Sequence, residues 1–225
     1  MSSVSRSTFS APGQARRLRH SVSCGGSILF GEAGETIGSE GLSKMEKEQI
    51  HKAFMRLGEL LRDRRVTGEV DVFGGAAMVL GFDFRRATQD VDSLVTSGHG
   101  QVMQAAQEVE KELHLPPNWL NEQATVYLSK HKDFSLFKMY PSEGQFGLRV
   151  LLAKPEYLLA MKLLAFRLYA ADVDDIKHLA LHLNRTSAED LLSLLKHYYP
   201  NEQITPERVL QVTELARKLH APPKS

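Results

Sequence analysis

Apolar residues recur along most of this chain with the spacing of helices or strands. Between residues 50 and 61 they follow helical spacing, which predicts a helix from residue 43 to about residue 64. Ser43 and Glu46 have the spacing of a capping box at its start. Strands are predicted at 70–73, 90–95, 134–140 and 148–153, and further helices at 76–80, 101–113, 155–168, 173–183, 191–199 and 206–220. This order predicts an α+β fold in which helices flank a small mixed sheet.

The pattern divides the chain into three parts. Residues 43–153 carry the predicted sheet and its helices, and residues 154–225 form a helical C-terminal part that we expect to pack on this core. Residues 1–42 lack a periodic apolar pattern, and the first 31 residues contain four arginines, many serines and no acidic residue. This composition fits a targeting segment, a disordered tail, or sequence upstream of a true start at Met45.

Composition narrows the environments and partners that the chain can have. It has 225 residues, of which 42% are hydrophobic, and a formal net charge of +1, so it can bury a core and has no overall basic character for nucleic acid. No apolar run approaches the length of a membrane span. Cys24 is the only cysteine, which excludes an intrachain disulfide and a cysteine zinc cluster and favours a reducing, cytoplasmic location.

The most informative stretch is residues 70–95, where an apolar run ends in Gly74 and Gly75. A basic turn at Arg85-Arg86 then precedes Asp90 and Asp92. On a strand, positions 90 and 92 point to the same face, so the two carboxylates repel each other unless a cation or hydrogen-bond donors lie between them. Mg²⁺ is the expected cation because it prefers carboxylate oxygens and bridges them to phosphates. The paired glycines would let the backbone and the following helix N-terminus approach a phosphate.

Several sequence blocks occur in order between residues 69 and 183: FGGAAMVLG, RRATQDVD, LPPNWLNE, and PEYLLAMKLLAFR followed by DVDDI. The ordered set resembles the DNA polymerase β-like nucleotidyltransferase superfamily and, within it, the DUF6036 group, which is related to AbiEii-type toxins. The resemblance implies a short mixed sheet flanked by helices. It also implies Mg²⁺-dependent transfer of a nucleotide from a nucleoside triphosphate to a hydroxyl of RNA or protein. A toxin-like role with an antitoxin-like partner protein is a further expectation.

The resemblance also assigns roles to individual residues. Related toxins use a lysine on a helix and a later aspartate, and Lys162 with either Asp174 or Asp175 matches these positions. The residues expected to bind substrate are Gly74, Gly75, Arg86, Thr88, Lys162 and Asp175, and those expected to act in catalysis are Asp90, Asp92, Lys162 and Asp174, with Asp90 and Asp92 also holding the metal.

One position departs from the superfamily pattern. Catalytic members commonly place a third carboxylate on a later strand, but residues 148–152 contain no acid. Asp133, Glu143 or Asp174 would replace it only if the fold brought one of them close to the other two acids. The alternative function is therefore a catalytically degenerate fold that binds a nucleotide, RNA or a protein.

Two further features favour ordinary structural roles. We expect Trp119, the only tryptophan, to anchor the core beneath a loop rather than to stack on a base. Asp174, His178 and His182 recur at four-residue spacing, but no further ligand accompanies them, so a polar helix face is predicted rather than a metal site.

Overall fold

The computed structural model describes residues 44–82, 84–165 and 170–219, so the expectations for residues 1–42 lie outside the described residues. In chain order its elements are β1 (Met45–Glu46), α1 (Lys47–Asp63), β2 (Thr67–Val72), α2 (Gly74–Gly81), β3 (Ala87–Thr88), β4 (Val91–Ser97), α3 (His99–Glu112), β5 (Leu120–Asn121), a 3-10 helix (Gln123–Tyr127), β6 (Phe134–Tyr140), β7 (Gly147–Ala153), α4 (Pro155–Ala165), α5 (Ala170–His182), α6 (Ala188–Tyr198) and α7 (Pro206–Leu219). Within these ranges, no helix combines the length and apolarity that crossing a membrane requires.

Five strands form the central mixed sheet, in the order β5-β4-β2-β7-β6. Strand β2 pairs with β4 in antiparallel orientation and with β7 in parallel orientation. Strand β5 joins β4 in parallel, and β6 joins β7 in antiparallel orientation. Strands β1 and β3 form a separate two-stranded antiparallel sheet, in which Met45 lies opposite Thr88. This small mixed sheet with its flanking helices confirms the predicted α+β fold.

Helices α1 and α3 cover one face of the central sheet. The buried residues of α1 recur at intervals of three or four, and this helix packs against α3 and β7. On β2, Val70 and Val72 are fully buried, and alternation along the strand directs Asp71 to the opposite face. A Cβ added at Gly68, which shares the face of the valines, would lie 2.9 Å from Leu61 of α1. Helix α1 therefore packs against β2, the strand that leads to Gly74 and Gly75.

The C-terminal helices pack against one another and against the segment after β5. Helix α4 contacts α5, α6 and the 3-10 helix, and α6 contacts α7. The ring of Tyr157 on α4 lies 5.5 Å from that of Phe134 on β6 and 5.0 Å from that of Tyr198 on α6. Directly after α6, the Tyr199 hydroxyl donates a hydrogen bond to the Tyr127 carbonyl at 2.6 Å. The 3-10 helix is thus held by the C-terminal part of the fold.

Element boundaries differ from the predicted ones in several places. Helix α1 begins at Lys47 with Glu46 as its N-cap, so the predicted start at Ser43 is wrong, and the Glu46 N–H donates to Gln49 Oε1 at 3.0 Å. Asp90 lies just before β4 rather than within it. Strands β1, β3 and β5 and the 3-10 helix were not predicted, because such short elements leave no periodic pattern in the sequence.

The buried tryptophan provides a test of the core. Trp119 is 1% exposed, its indole Nε1 donates to the Ala106 carbonyl at 3.0 Å, and its ring lies 5.9 Å from that of Phe54. The prediction that it anchors the core is confirmed. We expect Trp119→Ala to lower the free energy of unfolding by about 3–5 kcal/mol, because the substitution leaves a large cavity. Urea denaturation followed by circular dichroism measures the change.

Leu210→Ala is the control for this measurement, since Leu210 is 71% exposed. It should alter the free energy of unfolding by less than about 0.5 kcal/mol. Equal effects of the two substitutions would contradict the core role of Trp119.

Candidate functional site

A cavity of about 530 Å³ opens where β2 ends and β4 begins, and its volume lies in the range of small-molecule sites. Its lining includes six residues that the sequence singled out: Gly74, Gly75, Thr88, Asp90, Asp92 and Lys162. These residues come from α2, β3, β4 and α4 and from the residue just before β4. The fold therefore brings together positions that are up to 88 residues apart in the chain, from 74 to 162.

Gly74 and Gly75 bring bare backbone against polar side chains of the cavity. Gly74 begins α2 with a φ of 63°, the left-handed conformation that favours glycine, and a Cβ there would collide with Asp92 Oδ2. A Cβ at Gly75 would lie 2.5 Å from Thr88 Oγ1 and 3.2 Å from Arg85 Nη1. The N-terminus of α2, the positive end of its dipole, thus lies beside Asp92, and a helix N-terminus favours negative charge or a bound anion.

Asp90 and Asp92 both line the cavity at the start of β4. The Asp92 carbonyl accepts a hydrogen bond from the Phe73 N–H at 3.1 Å, which ties β4 to the end of β2. The Asp90 carboxylate accepts a hydrogen bond from Asn121 Nδ2 at 2.9 Å. Asn121 is 6% exposed and lies opposite Asp92 on β5, and its Oδ1 accepts from the Gln123 N–H at 3.0 Å. One buried amide therefore orients an acid and begins the 3-10 helix, a role that the sequence analysis missed.

Lys162 belongs to a partly buried network of ion pairs. Its side chain is 10% exposed, and its Nζ lies 2.7 Å from Asp175 Oδ2 and 3.4 Å from Asp172 Oδ1. Arg85 Nη1 reaches the same Asp175 oxygen at 3.0 Å. Two cations and two carboxylates balance, and a charge buried without a partner is costly. The network therefore holds α4, α5 and the basic turn together at the cavity wall.

Two choices between neighbouring residues become clear in the structure. Arg85 lines the cavity, whereas Arg86 is exposed and is not part of the lining. The Asp175 side chain is 6% exposed and joins the ion-pair network, whereas that of Asp174 is 65% exposed and lies 3.7 Å from Lys177. Of the nine predicted site residues, Arg86 and Asp174 are the two that the fold leaves on the surface.

A family model matches residues 49–213, which span most of the chain and include every site residue described above. The model describes a nucleotidyltransferase of unknown function. The chain belongs to the DUF6036 nucleotidyltransferase family. Comparisons with curated proteins and with solved structures give no significant match. The resemblance seen in the sequence blocks is therefore confirmed at the level of the family.

In this DUF6036 protein, the described ranges bring no three His, Cys, Asp or Glu side chains together as a metal-binding group. The candidate replacements for the third acid lie elsewhere: Asp133 pairs with Lys154 at 2.8 Å, and Glu143 is exposed. Asp90 and Asp92 thus line the cavity as a pair of acids. Such a pair fits Mg²⁺, which commonly takes one or two carboxylates and completes its coordination with water and substrate phosphates.

The predicted polar face of α5 carries exposed histidines that contact a neighbouring aromatic side chain. His178 stacks on Phe84, with 5.1 Å between ring centroids and an interplanar angle of 12°. His182 meets the same ring edge-on at 5.8 Å. These contacts help hold the segment before the basic turn against α5, the helix that also supplies Asp175.

A further acid that the sequence analysis missed, Asp71, lies on the central strand. It is buried, and its Cα partners are Leu94 on β4 and Leu151 on β7. Burial raises the pKa of Asp71 to about 6, with a smaller contribution from Glu69, while Lys132 acts in the opposite direction. The signal in the sequence was the alternation of acidic and apolar residues over 69–72, which directs both acids to one face of the sheet.

The raised pKa of Asp71 predicts that its contribution to the free energy of unfolding falls as the pH rises. The folded pKa of about 6 exceeds the ordinary value of 3.8, so folding favours the neutral acid. That contribution is fully present below about pH 4 and is lost as the pH rises through about 6. We expect Asp71→Asn to raise the free energy of unfolding at pH 7.5 by up to about 3 kcal/mol and to match the wild type near pH 4.

Urea denaturation at several pH values measures this difference. Asp63→Asn is the matched control, because the Asp63 side chain is 60% exposed, and its effect should stay within about 0.5 kcal/mol at every pH. A wild-type advantage over Asp71→Asn at pH 7.5 would contradict the assignment.

Proposed function

We propose that this protein binds a nucleoside triphosphate together with Mg²⁺ in the cavity and transfers the nucleotide to a hydroxyl of RNA or protein. The observation that carries the proposal is the convergence of Asp90, Asp92, Gly74 and Lys162 in one cavity of a nucleotidyltransferase family member. The lining carries both acidic and basic side chains, which suit the metal and the phosphates of a metal-bound triphosphate.

Each group in the cavity has a role that follows from its chemistry. Asp90 and Asp92 would hold Mg²⁺, which would neutralise phosphate charge when bound. The first amides of α2, at Gly74 and Gly75, would donate to phosphate oxygens. Lys162 supplies a cation that the ion-pair network already fixes in position, so binding the phosphate requires little rearrangement of this side chain.

The proposed reaction is a displacement at the α-phosphorus of the nucleoside triphosphate. The acceptor oxygen forms a new bond to that phosphorus, and the bond from the α-phosphorus to the bridging oxygen of the β-phosphate breaks. Pyrophosphate carries away the electron pair of the broken bond, and the hydroxyl proton passes to solvent or to a nearby base. Positioning and electrostatic stabilisation supply most of the rate enhancement in reactions of this class.

The absence of a third acid beside Asp90 and Asp92 in the described ranges favours a second candidate. A degenerate nucleotidyltransferase fold would bind a nucleotide, RNA or a partner protein and release it unchanged. A cytoplasmic toxin-like enzyme restrained by an antitoxin-like protein is the biological setting that we propose for the active form. Transfer and binding must therefore be measured separately.

Label transfer tests the reaction directly. We expect purified protein with Mg²⁺ and total RNA or cell extract to incorporate label from the α-phosphate of a nucleoside triphosphate, but none from the γ-phosphate. Asp92→Asn should lower incorporation by about a hundredfold or more, because it removes a charged oxygen from the metal-binding pair. The γ-label controls for phosphoryl transfer.

Two results would end the enzymatic proposal: no incorporation of any α-labelled nucleotide by the wild type, or equal incorporation by wild type and Asp92→Asn. Nucleotide binding measured by calorimetry with no label transfer would instead support the degenerate binding module.

The neighbouring aspartates of α5 form a matched pair for a second test. Asp175→Asn should lower transfer about tenfold or more, because it disturbs both Lys162 and Arg85. Asp174→Asn should leave transfer unchanged, since Asp174 contacts only Lys177 among the ion pairs described. Circular dichroism checks that both variants are folded. Loss of transfer in Asp174→Asn alone would reverse the assignment of the two residues.

A further inference from the structure

Two groups of lining residues, the charged wall and the apolar wall, differ in chemistry. One wall carries the charged groups, among them Arg85, Asp92 and Lys162. The other is formed by the 3-10 helix Gln123–Tyr127 together with apolar residues of α4. The charged wall accounts for a metal and for phosphates, but it leaves the second wall without a function.

The second wall presents apolar surface to the cavity. Val126 lines it while being 79% exposed, and Ala124, Tyr127 and Met161 line it as well. A single exposed apolar side chain is common on protein surfaces, but here several adjoin within one concave site. Concave apolar surface with a few polar groups is typical of the part of a ligand site that receives a ring system.

The wall is also held at both ends. At its start the Gln123 N–H donates to Asn121 Oδ1 at 3.0 Å, and at its end the Tyr127 carbonyl accepts from the Tyr199 hydroxyl at 2.6 Å. Asn121 also holds the Asp90 carboxylate at 2.9 Å. The apolar wall and the metal-binding pair therefore share one anchor, so their separation is fixed before a ligand arrives. Such preorganisation lowers the entropic cost of binding.

We propose that the 3-10 helix Gln123–Tyr127 is the nucleobase subsite of this cavity, with the base packed against Val126 and its neighbours. This inference rests on the proposed function, because it takes the phosphates to lie at the charged wall. A nucleobase has two apolar faces and a polar edge. The side chains of Ala124 and Val126 can pack against an apolar face of the base, and the Gln123 amide can both donate hydrogen bonds to its polar edge and accept them from it.

Binding in the absence of an acceptor tests the assignment. Calorimetry with Mg²⁺ compares ATP, GTP, CTP and UTP with inorganic tripolyphosphate, which has the phosphates but no base. In the wild type at least one nucleotide should bind more tightly than tripolyphosphate. Val126→Asn should weaken that nucleotide about tenfold, because it replaces the apolar contact without adding charge, and should leave tripolyphosphate affinity unchanged.

Val209→Asn is the matched control, since it makes the same substitution at a 40% exposed valine that does not line the cavity. Both variants should unfold at the wild-type urea midpoint. Nucleotide affinity should then be unchanged in Val209→Asn and reduced only in Val126→Asn.

The other outcomes overturn the inference in distinguishable ways. Equal nucleotide affinity of Val126→Asn and wild type would mean that this wall contacts something else, such as the acceptor, and label transfer would still stand. Tripolyphosphate binding as tight as every nucleotide would exclude a base subsite while leaving the phosphate site intact. If the wild type bound neither tripolyphosphate nor any nucleotide, both the subsite and the proposed function would fall.

Discussion

The interaction on which the candidate site depends most is the buried ion pair of Lys162 and Asp175. Removing either charge from water costs several kcal/mol, and attraction offsets this only while both partners remain closely placed. At 2.7 Å, with Arg85 on the same carboxylate oxygen, the pair fixes α4, α5 and the basic turn relative to one another. The C-terminal helices therefore supply the charge balance that permits cationic groups in a sheltered cavity.

A second constraint acts at the acidic end of the cavity. Asp90 and Asp92 carry like charges on neighbouring positions, and the Asn121 amide offsets part of the resulting repulsion by donating to Asp90. Gly74 lets the α2 N-terminus approach Asp92 where any side chain would collide. In the proposed complex, a cation between the two carboxylates would offset their repulsion, and a phosphate would accept hydrogen bonds from the α2 N-terminus.

Much of the architecture follows from apolar periodicity, which is why α1, α3 and the long strands could be predicted. The residues that line the cavity were harder to predict, because adjacent loop residues such as Arg85 and Arg86 are equivalent in sequence. Asp175 could have been preferred over Asp174, since it lies four residues before the buried Leu179 and so shares its helix face. The role of Asn121 could not be predicted, because it depends on a two-residue strand that leaves no periodic signal in the sequence.

The pairing of β1 with β3 has a practical consequence for protein engineering. Met45 is 1% exposed and lies opposite Thr88, a residue of the cavity lining. A protease that cleaved after residue 46 would remove β1, the strand partner of Thr88, while leaving the central sheet paired. A fluorescent or affinity label is better attached beyond α7, which contributes no residue to the lining of this cavity.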